Sequence, residues 1–363
     1  MKYEIGLDKT KIKDLRLLVL AVAFGMVCFT ITGGVAMTGF LKDLGVSDFV
    51  YGLIFAIGPI TAVLQLYASY VLERTKKRKF MFIFTGLISR ISWLPFGLVP
   101  LFIPISTPIL RIWMVVLILM VGHILTPFSN VSFYSFIVDM VPLDIRGRYF
   151  SFRYKVLMVF GLFAGLLNAF ILDRVFGFNG YAIVFTIAAI FGVADIVIFF
   201  FVKIPPMEDV PKKEKISTMI ADVFKNKRYM RIIIYGTVFY FTLSLTAPFG
   251  LVYAKTVLNL SFMTITFALT IPSTLTSVLF LSAWGRALDR YGNKPIMRIS
   301  AALACISPIF WMFTFDGPYA VITLIFAAGI GTSMIAGLDL GLQNVFLAQS
   351  PEKNRSMYMA MFL

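Results

Sequence analysis

The sequence predicts an all-α polytopic membrane protein, and three observations predict it. Of 363 residues, 59% are hydrophobic and only 14% charged, against roughly 45–50% and about 25% in an average soluble domain. The apolar residues gather in runs of about 20 or more, long enough as helices to cross a hydrocarbon core of about 30 Å. The charged residues fall in short clusters between those runs, too few to cover a soluble surface.

Ten spans follow in order: 16–41, 49–72, 80–105, 111–138, 152–172, 180–202, 231–254, 261–284, 296–315 and 320–348, with a short apolar stub at 357–363. The first run is longer than a signal-peptide core and has no small-residue cleavage site, so it reads as an uncleaved span. Cations fix the orientation. Twenty-eight Lys and Arg lie in the N-terminal arm and in the loops after spans 2, 4, 6, 8 and 10; the opposite loops hold Lys42, Arg111, Arg174 and Lys255. By the positive-inside rule the N terminus is cytoplasmic. The net charge of +15 is thus a topology signal, and no nucleic-acid partner is expected.

The segment 203–230 is the one sizeable loop, with Pro205, Pro206 and Pro211 among its charges, and it reads as a cytoplasmic linker. Its part from Ile216 to Met230 has the spacing of a short amphipathic helix, with Ile216, Met219, Ile220 and Val223 on one side. The linker separates a six-helix bundle, 1–202, from a second bundle, 231–363.

The two bundles repeat. Ser69, Glu73 and Arg74 after span 2 align at an offset of 216 with Gly285, Asp289 and Arg290 after span 8. Pro142 to Arg146 after span 4 matches Pro351 to Arg355 after span 10. A repeat of this kind points to two halves in one orientation. The second half is shorter: 56 residues follow Arg146 up to Val202 and eight follow Arg355, as if two spans were absent.

Gly285 to Lys294 resembles the Gly-x-x-x-Asp-Arg-x-Gly-x-Lys/Arg loop of the major facilitator superfamily. Glu73 and Arg74 resemble a degraded copy, with Lys76 where the second glycine would stand, and Arg146 with Arg148 resembles the loop after span 4 in bacterial members. The resemblance implies two six-helix bundles related by a pseudo-two-fold axis, the second incomplete here. It implies a gating role for Gly285, Asp289, Arg290, Gly292, Glu73, Arg74, Arg146 and Arg148. In physical terms Gly285 permits a close helix approach, Gly292 a tight turn at positive φ, and Asp289 the company of a helix N-terminal dipole. A cationic loop resting on anionic lipid is the alternative.

Four ionisable residues fall within spans, where each needs a reason. Arg90 and Asp195 lie about 12–15 Å from the cytoplasmic side at 1.5 Å per residue; His123 and Asp339 lie near the midplane. The resemblance implies that spans 1, 4, 7 and 10 line a central cavity while 3 and 6 pack outside. Arg90 with Asp195 then reads as a structural ion pair, and His123 and Asp339 as facing groups of a substrate or proton-coupling site. Polar stripes support this: His123, Thr126, Asn130 and Tyr134 share one helical face, and Thr332, Asp339 and Gln343 another. Thr237, Tyr240 and Ser244 repeat the spacing in span 7, with Pro248 as a kink. The alternative is a histidine bonded to a neighbouring helix and hydroxyls bonded to their own backbone. The glycines of spans 1 and 10 suit bending or close packing equally.

No nucleotide-cradling loop occurs, one histidine excludes a multi-histidine metal site, and Cys28 and Cys305 both lie in spans. Neither enzyme activity, nor a cofactor, nor a metal is expected. The expectation is a monomeric, multi-pass secondary transporter of a small organic solute in the cell membrane, with the lipid bilayer as its other partner. Asp339 is the residue expected to couple transport to a proton or to the substrate. The competing class is a truncated, non-transporting remnant of such a transporter.

Overall fold

The computed structural model describes residues 8–104, 106–142, 146–207, 216–315, 317, 319–349, 358 and 361. All regular structure among them is helical. Ten helical segments are long and apolar enough to cross a membrane: Lys9–Asp43, Asp48–Thr75, Arg78–Phe102, Pro108–Ile137, Phe152–Arg174, Phe178–Ile198, Lys227–Thr256, Phe262–Leu288, Asn293–Met312 and Ala320–Leu342. Large apolar side chains such as Trp113, Phe163 and Leu279 remain exposed, as befits helices solvated by lipid. Of the 357–363 stub, Tyr358 and Met361 alone lie within the described residues.

Four spans are broken. Span 1 kinks at Gly34, which lies outside helical geometry at φ −104° and ψ −149°. Span 3 breaks at Ser92 and span 9 at Cys305. In both cases a proline follows three residues later, Pro95 and Pro308, whose ring lacks an N–H and collides with the carbonyl four residues back. Span 2 breaks at Val63, beyond an internal Pro59.

The chain divides into two compact units, one up to Thr218 and one from Met219 to Phe362. In the first, span 1 packs along spans 5 and 6, span 3 along spans 4 and 6, and span 2 along span 4. A cluster of Leu15, Leu18, Phe82, Phe136, Ile196 and Phe199 fills the half nearer the N terminus, with the Phe82 and Phe199 rings 4.5 Å apart edge to face. The end of the bundle on that side is tied by Arg78, which is 3% exposed. Its Nη1 donates to Asp139 Oδ2 at 2.7 Å and its Nε to the Pro205 carbonyl at 2.8 Å. Lys79 Nζ donates to the Val202 carbonyl at 2.8 Å. A helix that ends leaves carbonyls without intrahelical partners. These two cations, at the start of span 3, satisfy the chain that leaves span 6.

In the second unit, span 10 packs against spans 8 and 9. Side chains of the neighbours donate to its carbonyls: Thr276 Oγ1 to Gly329 at 2.9 Å, Trp284 Nε1 to Ser333 at 2.8 Å and Ser307 Oγ to Ala327 at 2.8 Å. A Cβ on Gly337 would fall 2.6 Å from the Trp284 ring, and one on Gly341 would collide with Met297. Of the two roles open to these glycines, the structure uses packing. The linker segment folds as a helix over Ile216–Lys225, with Val223 fully buried.

Candidate functional site

The interruptions in spans 1, 2 and 3 meet at one place. Gly33 and Met37 flank the kink in span 1, Pro59 lies ahead of the break in span 2, and Ser92 and Trp93 sit at the break in span 3. All five line a cavity of about 460 Å³ inside the first unit, closed on another side by span 4 through His123 and Thr126. Irregular backbone at membrane depth is tolerated where it lines a cavity, because freed polar groups then find partners.

The wall brings aromatic and polar groups together. Phe29, Phe55, Trp93 and Phe96 form its apolar part. Ser89 Oγ and Thr126 Oγ1 are 3.0 Å apart and share a hydrogen bond. Ser92 Oγ donates to the Ser89 carbonyl at 2.8 Å, and Thr32 Oγ1 to the Cys28 carbonyl at 2.9 Å. Gly122 lets span 4 approach this corner, since a Cβ there would lie 2.8 Å from Ser92 Oγ. The His123 imidazole lies against Gly58, with its Cε1 3.5 Å from a Cβ placed there. Neither ring nitrogen has a hydrogen-bond partner among the described residues.

Arg90 also lines this cavity. Its Nη2 pairs with Asp195 Oδ2 at 3.5 Å, the side chains being 28% and 10% exposed. Room for the pair comes from two glycines. A Cβ on Gly25 would meet Asp195 Oδ2 at 2.7 Å, and one on Gly192 would meet Arg90 Cδ and Cys28 Sγ at 2.9 Å. Arg90 and Asp195 thus meet as the sequence pairs them, and Arg90 is also part of this cavity's wall.

In the second unit, Tyr240 of span 7 donates a hydrogen bond to Asp339 Oδ1 of span 10. Thr332, from the same stripe as Asp339, donates to its own Ala328 carbonyl at 2.5 Å. Asn130 is exposed and lies outside the cavity wall. The side chains of Gln343, Asp289, Arg146 and Arg148 fall outside what the structure describes.

The loops after spans 2 and 8 share a backbone feature. Gly292 ends its helix at φ 81° and Lys76 ends its own at φ 59°. Lys76 N–H donates to the Leu72 carbonyl at 2.8 Å and Gly292 N–H to the Leu288 carbonyl at 2.9 Å. Both residues and both partners are 216 positions apart. Glu73 lies 3.9 Å from Lys76 Nζ, while Arg74 and Arg290 are exposed. Among the described residues nothing lies within 4 Å of a Cβ built at Gly285, although its neighbour Trp284 packs on span 10.

The sequence reading missed Ser92, Trp93 and Gly58 at the cavity and Arg78 with Asp139 at the end of the bundle where span 3 begins. Pro59, Pro95 and the Gly33-Gly34 pair, set in otherwise continuous apolar runs, were the available signals for the first group. No group of three or more His, Cys, Asp or Glu that could hold a metal occurs among the described residues.

A family model for the major facilitator superfamily matches residues 17–363. A search of curated protein sequences finds no match. Solved structures of similar fold include a mutant form of the nucleoside transporter NupG, at 15% identity and a TM-score of 0.70 over 96% of this chain and 87% of that one. A D-xylose-proton symporter matches at 15% and 0.70 over 98% and 87%. The xylose transporter XylE from E. coli, in a partially occluded inward-open conformation, matches at 14% and 0.64 over 98% and 88%. At such identities the likeness is one of fold.

Proposed function

The chain belongs to the major facilitator superfamily, and from that premise we propose that it is a secondary active transporter of a small organic solute, working by alternating access in the cell membrane. The observation that carries this reading is the cavity at which three interrupted spans converge. Discontinuous helices are how transporters of this kind present polar groups at membrane depth. The excess of cations in one set of loops supports a cytoplasmic N terminus, and the protein is expected to act as a monomer.

Coupling is assigned to Asp339. A carboxylate within a span is costly, and its hydrogen bond from Tyr240 joins span 7 to span 10. Gaining or losing a proton at Asp339 changes what Tyr240 can donate to, and so biases any conformational equilibrium that separates the two spans. Gating is assigned to the loops holding Glu73, Arg74, Asp289 and Arg290, where Lys76 and Gly292 end their helices at positive φ. Asn130, Gln343, Arg146 and Arg148 keep their sequence-based assignments as part of this proposal.

The test is solute uptake into proteoliposomes with an imposed pH gradient. Wild-type protein is expected to accumulate solute when the gradient is present. Asp339→Asn is expected to exchange solute at equilibrium but to lose gradient-driven accumulation. Accumulation that persists in the Asn variant removes Asp339 from coupling.

A further inference from the structure

We propose that the solute is an organic monoanion with a flat apolar body, its acid group held by Arg90 inside the first helical bundle. The word solute rests on the transporter reading; the binding site does not. The polar capacity left unspent in the cavity wall carries the inference. The hydroxyls of Ser92 and Thr32 donate to helix carbonyls. Those of Ser89 and Thr126 bond each other, and Thr126 also donates to the Gly122 carbonyl. A polyhydroxylated solute would find few donors or acceptors here. What remains is the guanidinium of Arg90, the imidazole of His123 and the indole N–H of Trp93.

The charge balance has one sign. No Asp or Glu is among the described residues lining the cavity. The nearest carboxylate, Asp195, stands behind Arg90 and touches it through one N–H at 3.5 Å. An arginine that is fully engaged by a carboxylate makes two parallel, shorter bonds. Asp195 is shared as well, since Arg153 of span 5 also interacts with it electrostatically. Of the other groups packed on it, Cys28 of span 1 is a buried thiol. A guanidinium held by one long contact, in a wall where no described residue is an Asp or Glu, favours an anion over a cation in a water-poor interior. Arg90 is 28% exposed and part of the cavity wall, so an acid in the cavity can reach its guanidinium. The rings of Phe29, Phe55, Trp93 and Phe96 then receive the apolar body. The volume of about 460 Å³ lies within the usual range for small-molecule sites, roughly 300–1,000 Å³.

The test compares acids with their amides, which keep the shape and lose the charge. Binding of radiolabelled benzoate, 4-phenylbutyrate and indole-3-acetate to the purified full chain is measured beside benzamide, 4-phenylbutyramide and indole-3-acetamide. At least one acid is expected to bind tenfold or more tighter than its amide. The double variant Arg90→Gln with Asp195→Asn removes both charges together and is expected to abolish the difference. Arg90→Lys keeps the charge without the planar fork and is expected to lower acid affinity severalfold, which keeps the test intact if the double variant fails to fold. Equal binding of acid and amide, binding of neither, or an acid preference that survives in both variants overturns the proposal. Counterflow with the same acids separates the two readings. An acid that binds through Arg90 but never crosses leaves the anion site standing and removes transport. Uptake of neutral solutes that no acid inhibits leaves transport standing and removes the anion site.

Discussion

Lys76 shows how a single residue can hide a repeat. At the level of letters, lysine in place of glycine marks the first loop as a decayed copy of the second. At the level of backbone, Lys76 sits at φ 59° where Gly292 sits at φ 81°, and each closes its helix through the same carbonyl position. A side chain held in the left-handed region costs about 1–2 kcal/mol, so sequence comparison sees a loss where the fold has kept the positive φ and the helix-closing bond, though ψ is 6° at Lys76 and 167° at Gly292. Lys76→Gly is therefore expected to stabilise the protein by about 1 kcal/mol, read as a higher unfolding temperature in detergent. Gly292→Ala is expected to lower it. A lower unfolding temperature for Lys76→Gly would show that the Glu73 contact at 3.9 Å outweighs the backbone strain. A second residue-scale case is Gly192, where a methyl group would press on Arg90 and Cys28 at 2.9 Å. Overpacking of this kind typically costs about 1–3 kcal/mol. Gly192→Ala is expected to lose stability by that amount and, by moving Arg90, to weaken acid binding as well.

Among the elements, the existence and order of the spans were plain in the sequence because lipid admits little besides helices of fixed length. The breaks were visible only as letters. Pro59, Pro95 and Gly34 each announced a local irregularity, yet nothing in a linear pattern says that three of them share one cavity, since that depends on how spans 1, 2 and 3 pack. The same limit applies to Arg90, whose pairing with Asp195 was readable from two charges in apolar spans, while its place in the cavity wall beside the break at Ser92 depends on packing. Pro95 makes the point testable. Pro95→Ala restores an N–H for the Ile91 carbonyl and lets span 3 run straight, which favours the helix by propensity. The expected outcome is a protein at least as stable as wild type in thermal unfolding but weaker in acid binding. Loss of both stability and binding would mean that the break serves the packing of span 3 and is not built for the cavity.

For the whole molecule, composition set the class, and the distribution of 33 Lys and Arg predicts the orientation. The physics is the same at both levels: the bilayer excludes charge from spans, and translocation disfavours basic loops, so topology is written in loop composition even where side-chain contacts are not. The offset of 216 between the two loop motifs extended this to a repeat. The proline-linked break strengthens it, recurring at Ser92 in span 3 and at Cys305 in span 9. Orientation can be measured directly with a membrane-impermeant thiol reagent. Lys77→Cys, in the basic loop after span 2, is expected to stay unlabelled in intact cells and to react in inside-out vesicles. Phe176→Cys, 85% exposed in the wild-type chain and set in a loop of the opposite group, is expected to do the reverse. The unsubstituted protein supplies the background from Cys28, which is buried, and Cys305, which is exposed within span 9. A reversed pattern would place the N terminus outside. It would also invert the gradient that Asp339 is expected to use, because the side from which a coupling proton enters is fixed by which loops face the cytoplasm.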